Sequence, residues 1–148
     1  MSLMLTSDIA YPIAVGTVGV YTLLTFASVK VGRARKAAGV QYPACYAENS
    51  VAERDAKANK FNCAQRAHAN TIENLPVFLL TLIHSSVYHP KYAAAAGALW
   101  IAGRYAYIIG YCSGDPEGRR RGFFGYAGGL PLLFFSMYKA VSSLPFLQ

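Results

Sequence analysis

The residues Ile9–Val29, IAYPIAVGTVGVYTLLTFASV, hold no charged side chain across 21 positions. At about 1.5 Å per residue they make a helix of roughly 30 Å, the thickness of a bilayer's hydrocarbon core. Pro12 stands in the first turn, where a missing amide costs least. The stretch runs out into Lys30, Arg33, Arg35 and Lys36, a basic run of the kind that stays on the cytosolic side of a membrane. Asp8, rather than a basic segment, precedes it, so the reading is an uncleaved anchor and not a cleavable signal peptide.

The whole chain agrees with that reading. Its 148 residues suit one domain; 54% are hydrophobic and only 14% charged, with a mean hydropathy of +0.26. A soluble domain this apolar would expose large oily patches, which lipid removes as a difficulty. The net charge of +7 comes from 14 Lys and Arg against 7 Asp and Glu. Residues 30, 33, 35, 36, 54, 57, 60, 119, 120 and 121 supply ten of those 14, all in two connecting stretches. That clustering argues for membrane topology and an anionic ligand, and against nucleic acid as partner. It places both basic loops on the cytosolic side and both termini on the other, where Lys91 and Lys139 lie.

Further segments follow the first. Gly39–Lys60 reads as a loop, with a turn at Asn49-Ser50. A second helix runs from about Asn62 to Tyr88, polar in its first half and apolar in its second, with Pro76 placed to kink it. A third spans Tyr92 to Cys112, interrupted by Arg104. Ser113-Gly-Asp-Pro116 is a turn, and a fourth helix begins at Gly122. The expected fold is an all-α membrane protein: one domain, residues 1–148, with a four-transmembrane-helix bundle spanning about 9–31, 62–88, 92–112 and 122–140. The three cysteines, Cys45, Cys63 and Cys112, lack CxxC or metal-site spacing and read as free thiols; no metal is expected.

Polar residues recur in register on two of these helices. Arg66, Asn70 and Glu73 are spaced i, i+4, i+7 and share one face; Arg104, Tyr107 and Tyr111, at i, i+3, i+7, share another. Ionisable groups in a span are expensive and point to function, although interhelical hydrogen bonding alone also accounts for such stripes. Together they form a polar pocket near the cytosolic ends, to which Arg119, Arg120 and Arg121 add charge. Arginines clamp carboxylates, Glu73 takes an amine, and the tyrosines supply hydroxyls and ring faces. The pocket suits a zwitterionic, peptide-like ligand with several carboxylates. His84 reads as an interhelical contact, His89 as a helix-end residue, and Tyr11, Tyr88, Tyr92 and Trp100 as interfacial anchors or packing.

The stretch Phe61-Asn-Cys-Ala-Gln-Arg-Ala-His-Ala-Asn-Thr-Ile-Glu-Asn-Leu-Pro76 resembles the signature of the MAPEG superfamily, the membrane-associated eicosanoid and glutathione proteins. Val40-Gln-Tyr-Pro43, Val87-Tyr-His-Pro90 and Gly110-Tyr111-x-Ser-Gly-Asp-Pro116 resemble its type-three microsomal glutathione S-transferases. The resemblance runs from about Val31 to Gly122. It implies a homotrimer of four-helix protomers, with glutathione as co-substrate held between protomers near the cytosolic face. It also implies an endoplasmic reticulum membrane location, with the outer mitochondrial membrane as a second.

Carried over from the leukotriene-C-synthase branch, Arg66, Asn70, Glu73, Tyr107 and Tyr111 match glutathione-contacting positions. His68 falls where that branch has a glutamine from the adjacent protomer. Arg35 and Lys36 match a basic pair at the end of the first helix, and Arg119 best matches the arginine that holds the glutathione sulfur. The loop is one residue longer here, so Arg120 and Arg121 compete for that place. Asn74 departs from the pattern, which has a tyrosine.

The implied activity is a membrane-bound glutathione transferase acting on hydrophobic electrophiles, also a glutathione-dependent lipid hydroperoxide reductase, and leukotriene-C-synthase-like. A guanidinium beside the sulfur favours the thiolate, while Arg35 or Lys36 stabilises or protonates the oxygen that develops charge. The alternatives are a non-catalytic lipid-binding protein resembling the lipoxygenase-activating protein, and a structural four-helix membrane protein.

Overall fold

The structure, a computed structural model, describes residues 7–144, and among these every regular element is helical. Helix α1 is Ser7–Ala38, opening with a 3-10 turn at Ser7–Ile9 and widening to a π turn at Val15–Gly19. It ends at Gly39, whose φ of 66° is the left-handed conformation that glycine adopts freely. Arg35 and Lys36 in its last turn complement the negative end of the helix dipole.

A short helix α2, Asn49–Ala52, occupies the place where a turn at Asn49-Ser50 is expected. Helix α3, Ala56–Tyr88, is 33 residues long, hence roughly 50 Å. It starts six residues before the expected Asn62, because the Asp55 side chain accepts a hydrogen bond from the Lys57 amide at 2.8 Å and caps the first turn. Pro76 lies inside it, and the helix runs on without interruption.

Helix α4, Pro90–Tyr111, follows after His89 alone, with Pro90 in its first turn, where a proline ring is pre-set for helix. Gly114 turns the chain with φ 96°. Asp115 then caps a 3-10 segment, Pro116–Gly125, by accepting from the Glu117 amide at 2.9 Å. Helix α5 is Tyr126–Ser142. Gly122, the expected start of the last helix, therefore lies in the 3-10 segment. The end of the apolar tail, residues 145–148, lies outside the described residues.

Leu23 and Ala27 of α1, Ala67, Leu75, Phe78 and Leu82 of α3, Ala96, Trp100 and Ile108 of α4, and Leu132 of α5 form one core. Phe78 and Trp100 stack at 3.9 Å between centroids, 11° from parallel. The buried Ser136 hydroxyl donates to the Thr81 carbonyl at 3.2 Å and accepts from Ser85 at 3.2 Å, tying α5 to α3. Large apolar side chains face outward, among them Val18, Tyr21, Leu80, Ile83, Phe134 and Tyr138, each more than 60% exposed. Lipid solvates such a surface and water does not.

By length and composition, α1 alone among the described residues qualifies as a membrane-crossing helix, where four such segments are expected. The reason is the polar register itself. The first half of α3 is polar, with Arg66 and Glu73 among its charges, Arg104 interrupts the apolar run of α4, and α5 is 17 residues long.

A seam of glycines positions the site. Gly110 of α4 and Gly118 of the 3-10 segment meet backbone to backbone, as do Gly103 and Gly125. Gly122 lies against Tyr107, and Gly128 against the Ala96 carbonyl. A methyl group at Gly110 or Gly118 would collide with main-chain atoms that cannot swing aside. The 3-10 segment therefore lies directly on α4 and carries Arg119, Arg120 and Arg121 to the face of that helix.

Candidate functional site

Arg104 projects from α4 toward α3. Its Nη2 donates to Asn70 Oδ1 at 3.1 Å and to Thr71 Oγ1 at 2.7 Å, and its guanidinium carbon lies 4.0 Å from the Tyr107 ring centroid. The Nε atom is buried without a partner. Thr71 is fully buried, and its hydroxyl donates a hydrogen bond to the Ala67 carbonyl at 2.8 Å. Asn70 in turn accepts on its main-chain oxygen from Asn74 Nδ2 at 2.8 Å. A chain of hydrogen bonds thus runs from Arg104 through Asn70 to Asn74.

These groups border a cavity of about 230 Å³ whose walls include Asn70, Asn74, Arg104, Tyr107, Arg119 and Tyr126. Arg119 reaches it from the 3-10 segment while pairing with Glu117 at 3.3 Å. Its two neighbours do not border it. Arg120 is exposed and pairs with Glu117 at 2.6 Å, and Arg121 is exposed with its stem against Gly110. The three arginines, equivalent by spacing, are separated by this geometry.

The remaining residues singled out from sequence lie elsewhere. Arg66 and Glu73 form an ion pair of 2.7 Å on the outer face of α3, 46% and 54% exposed. Tyr111 stands edge-on to Tyr107, 5.6 Å between centroids. His68 faces α1, with Nε2 3.3 Å from Ser28 Oγ. Arg35 is engaged in holding the loop after α1: it donates to the Ala44 carbonyl at 2.7 Å and lies over the Tyr42 and Phe61 rings at 4.3 and 4.6 Å. Lys36 is exposed. His84, expected to bond across helices, packs edge-on against Tyr88 of its own helix at 5.6 Å.

Sequence reasoning missed Thr71, which completes the seat of Arg104, and Trp100 and Tyr126, which shape the cavity. The available signal was the need of a buried guanidinium for several acceptors. Two guanidinium groups, two carboxamides and two phenols surround one cavity, a set rich in donors to an anion, and the Arg66–Glu73 pair outside it carries one charge of each sign. That donor set fits a zwitterionic peptide such as glutathione, and among the described residues no cluster of metal-binding side chains occurs.

A relative from Synechocystis sp. (strain ATCC 27184 / PCC 6803 / Kazusa), “Uncharacterized protein sll1147”, is 37% identical over 84 residues, 56% of this chain and 54% of that protein. The chain thus spans about half the length of that relative. The MAPEG family profile matches residues 13–138, which include all of α3, α4 and the 3-10 segment. The chain belongs to the MAPEG family, whose members are membrane proteins.

Proposed function

We propose that this protein is a membrane-bound glutathione transferase resembling the type-three microsomal enzymes, and that it also reduces lipid hydroperoxides at the expense of glutathione. In this reading the long helices α1, α3, α4 and α5 each cross the membrane. Three copies assemble, and the protein resides in the endoplasmic reticulum or the outer mitochondrial membrane. The observation that carries the proposal is the position of Arg119. Of three consecutive arginines it alone borders the cavity with Asn70, Arg104 and Tyr107.

A free thiol titrates near pH ~8.5, and its thiolate is the nucleophile. A guanidinium beside the sulfur stabilises the anion, and a shift of one or two units, about 1.4 kcal/mol each, makes thiolate the dominant form near neutrality. Arg66, Asn70, Glu73, Tyr107 and Tyr111 hold the carboxylates and amine of glutathione; Arg104 lends charge and fixes Asn70. His68 contributes from a neighbouring protomer. A hydrophobic electrophile approaches from the lipid side. Lys36, exposed and free of the loop contacts that engage Arg35, is the better candidate to protonate a developing oxyanion.

The test is Arg119→Ala. Glutathione affinity stays near normal, the thiolate absorbance of bound glutathione falls, and turnover drops at neutral pH but recovers partly in alkali, where the thiol ionises unaided. Arg119→Lys restores part of the loss, because an ammonium keeps the charge without the planar fork. Loss of thiolate in Arg120→Ala or Arg121→Ala instead would reassign the role. Glutathione-independent binding of lipid, with no thiolate in the wild-type protein, would favour the non-catalytic lipid-binding reading.

A further inference from the structure

We propose that Asn74 is a specificity-determining residue that biases the site toward lipid hydroperoxides over epoxides. The inference rests on the transferase reading above and concerns which electrophile that site prefers.

Asn74 stands where two cavities meet. It borders the polar cavity with Asn70, Arg104, Tyr107 and Arg119. It also borders a second cavity of about 190 Å³, lined by Val77, Phe78, Leu130 and Leu133, with Trp100 and Tyr126 common to both. The second is largely apolar and lies between α3 and α5, so an acyl chain lying along it delivers its polar group to residue 74.

The orientation of the Asn74 amide is fixed by its hydrogen bond. The Asn70 main-chain oxygen, 2.8 Å away, can only accept, so the atom facing it is Nδ2. Asn70 is itself held in place by Arg104. Among the described residues no donor reaches the Asn74 Oδ1, and the residue itself is exposed. An acceptor in that place rewards an electrophile that carries a hydrogen-bond donor at its reacting end. A hydroperoxide carries an O–H on its terminal oxygen. An epoxide of the same chain carries none.

With glutathione as the reductant, the step balances as follows. The thiolate sulfur bonds to the terminal oxygen as the O–O bond breaks, and the departing alkoxide takes up the proton released when the thiol ionised, giving the alcohol. A second glutathione thiol then attacks the oxidised sulfur, forming the disulfide, and the hydroxyl leaves as water. Two thiols are oxidised and one hydroperoxide is reduced. Oδ1 of Asn74 holds the terminal O–H, which fixes the oxygen that the sulfur must reach.

The experiment compares kcat/KM of the purified full-length protein for a C18 fatty-acid hydroperoxide and for the epoxide of the same fatty acid, with glutathione, in wild type, Asn74→Leu and Asn74→Asp. Loss of one neutral hydrogen bond lowers the hydroperoxide-to-epoxide ratio by roughly three- to tenfold in Asn74→Leu, whatever loss the two substrates share. Asn74→Asp keeps an acceptor and retains most of the wild-type ratio. A ratio unchanged in Asn74→Leu, or lowered equally in Asn74→Asp, overturns the assignment while leaving the transferase reading intact. Absence of glutathione-dependent turnover of either substrate by the wild type would remove both.

Discussion

Arg104 of α4 and Asn70 of α3 are joined by a hydrogen bond of 3.1 Å, while the same guanidinium lies against the Tyr107 ring one turn further along its own helix. The two polar faces are thereby locked together. Asn70 is oriented by a residue on another helix, so its side chain faces the cavity at a fixed angle.

Arg104→Ala should cost about 1–3 kcal/mol of stability, since the buried Thr71 hydroxyl loses its donor and Asn70 loses its anchor. Thermal unfolding in detergent measures this. Arg104→Lys should recover only part, because an ammonium cannot reach Asn70 and Thr71 with the same planar geometry. Full stability in Arg104→Ala would mean that the lock contributes nothing.

Glu73→Gln separates a ligand role from a structural one. The Arg66–Glu73 pair is about half exposed, and such pairs contribute roughly 0–1 kcal/mol to stability. A charge-assisted contact to a ligand amine, by contrast, is worth about 1.5–3 kcal/mol. Glutathione affinity measured by calorimetry should fall roughly ten- to hundredfold while the unfolding temperature scarcely moves. The reverse result would make this pair a helix brace.

Gly110→Ala tests the glycine seam. The added methyl meets the Gly118 main chain, and overpacking of this kind costs about 1–3 kcal/mol. Arg119 adjoins Gly118, so the thiolate signal of bound glutathione should fall together with stability. Gly32→Ala is the control: nothing lies within 4 Å of the new methyl, and a helix-interior Gly→Ala change should stabilise by about 0.5–1 kcal/mol. Equal effects at the two positions would contradict the seam.

Arg35→Ala should loosen the segment 40–47, because the Ala44 carbonyl loses its donor and Tyr42 its cationic neighbour. Hydrogen exchange of those amides reports the change, and Lys36→Ala should leave them protected. A fall in turnover in Arg35→Ala with exchange unaltered would restore Arg35 to the chemistry.

Much of this arrangement is legible in the sequence because it is local. The i, i+7 spacing of Arg66 and Glu73 becomes a 2.7 Å ion pair, and the i, i+4 spacing of Tyr107 and Tyr111 becomes an edge-on ring pair. The early start of α3 was carried by Asp55, a capping residue, but the polar turns that follow it look like loop until the helix is seen to continue beyond its apolar half. What stays hidden depends on contacts distant in sequence. The basic run Lys30, Arg33, Arg35 and Lys36 at the end of α1 hides the engagement of Arg35 with Ala44 and Phe61. Among three adjacent arginines Arg119 is preferred only by resemblance until the 3-10 segment brings it, and not its neighbours, to the cavity. Thr71 becomes significant only through Arg104, and Asn74, marked in the sequence only as a departure from the family pattern, gains its place through Asn70.

The glycine seam also constrains how such a protein diversifies. Where Gly103 lies against Gly125 and Gly122 against Tyr107, part of the cavity wall is main chain, which point substitution cannot reshape without displacing it. The opposite wall, the α3 face at Asn70, Asn74 and Val77, is made of side chains on a continuous helix and accepts exchange one residue at a time. Single exchanges on that helix face should therefore change the cavity lining while leaving the backbone beside Arg119 in place, whereas exchanges at the glycines should displace it.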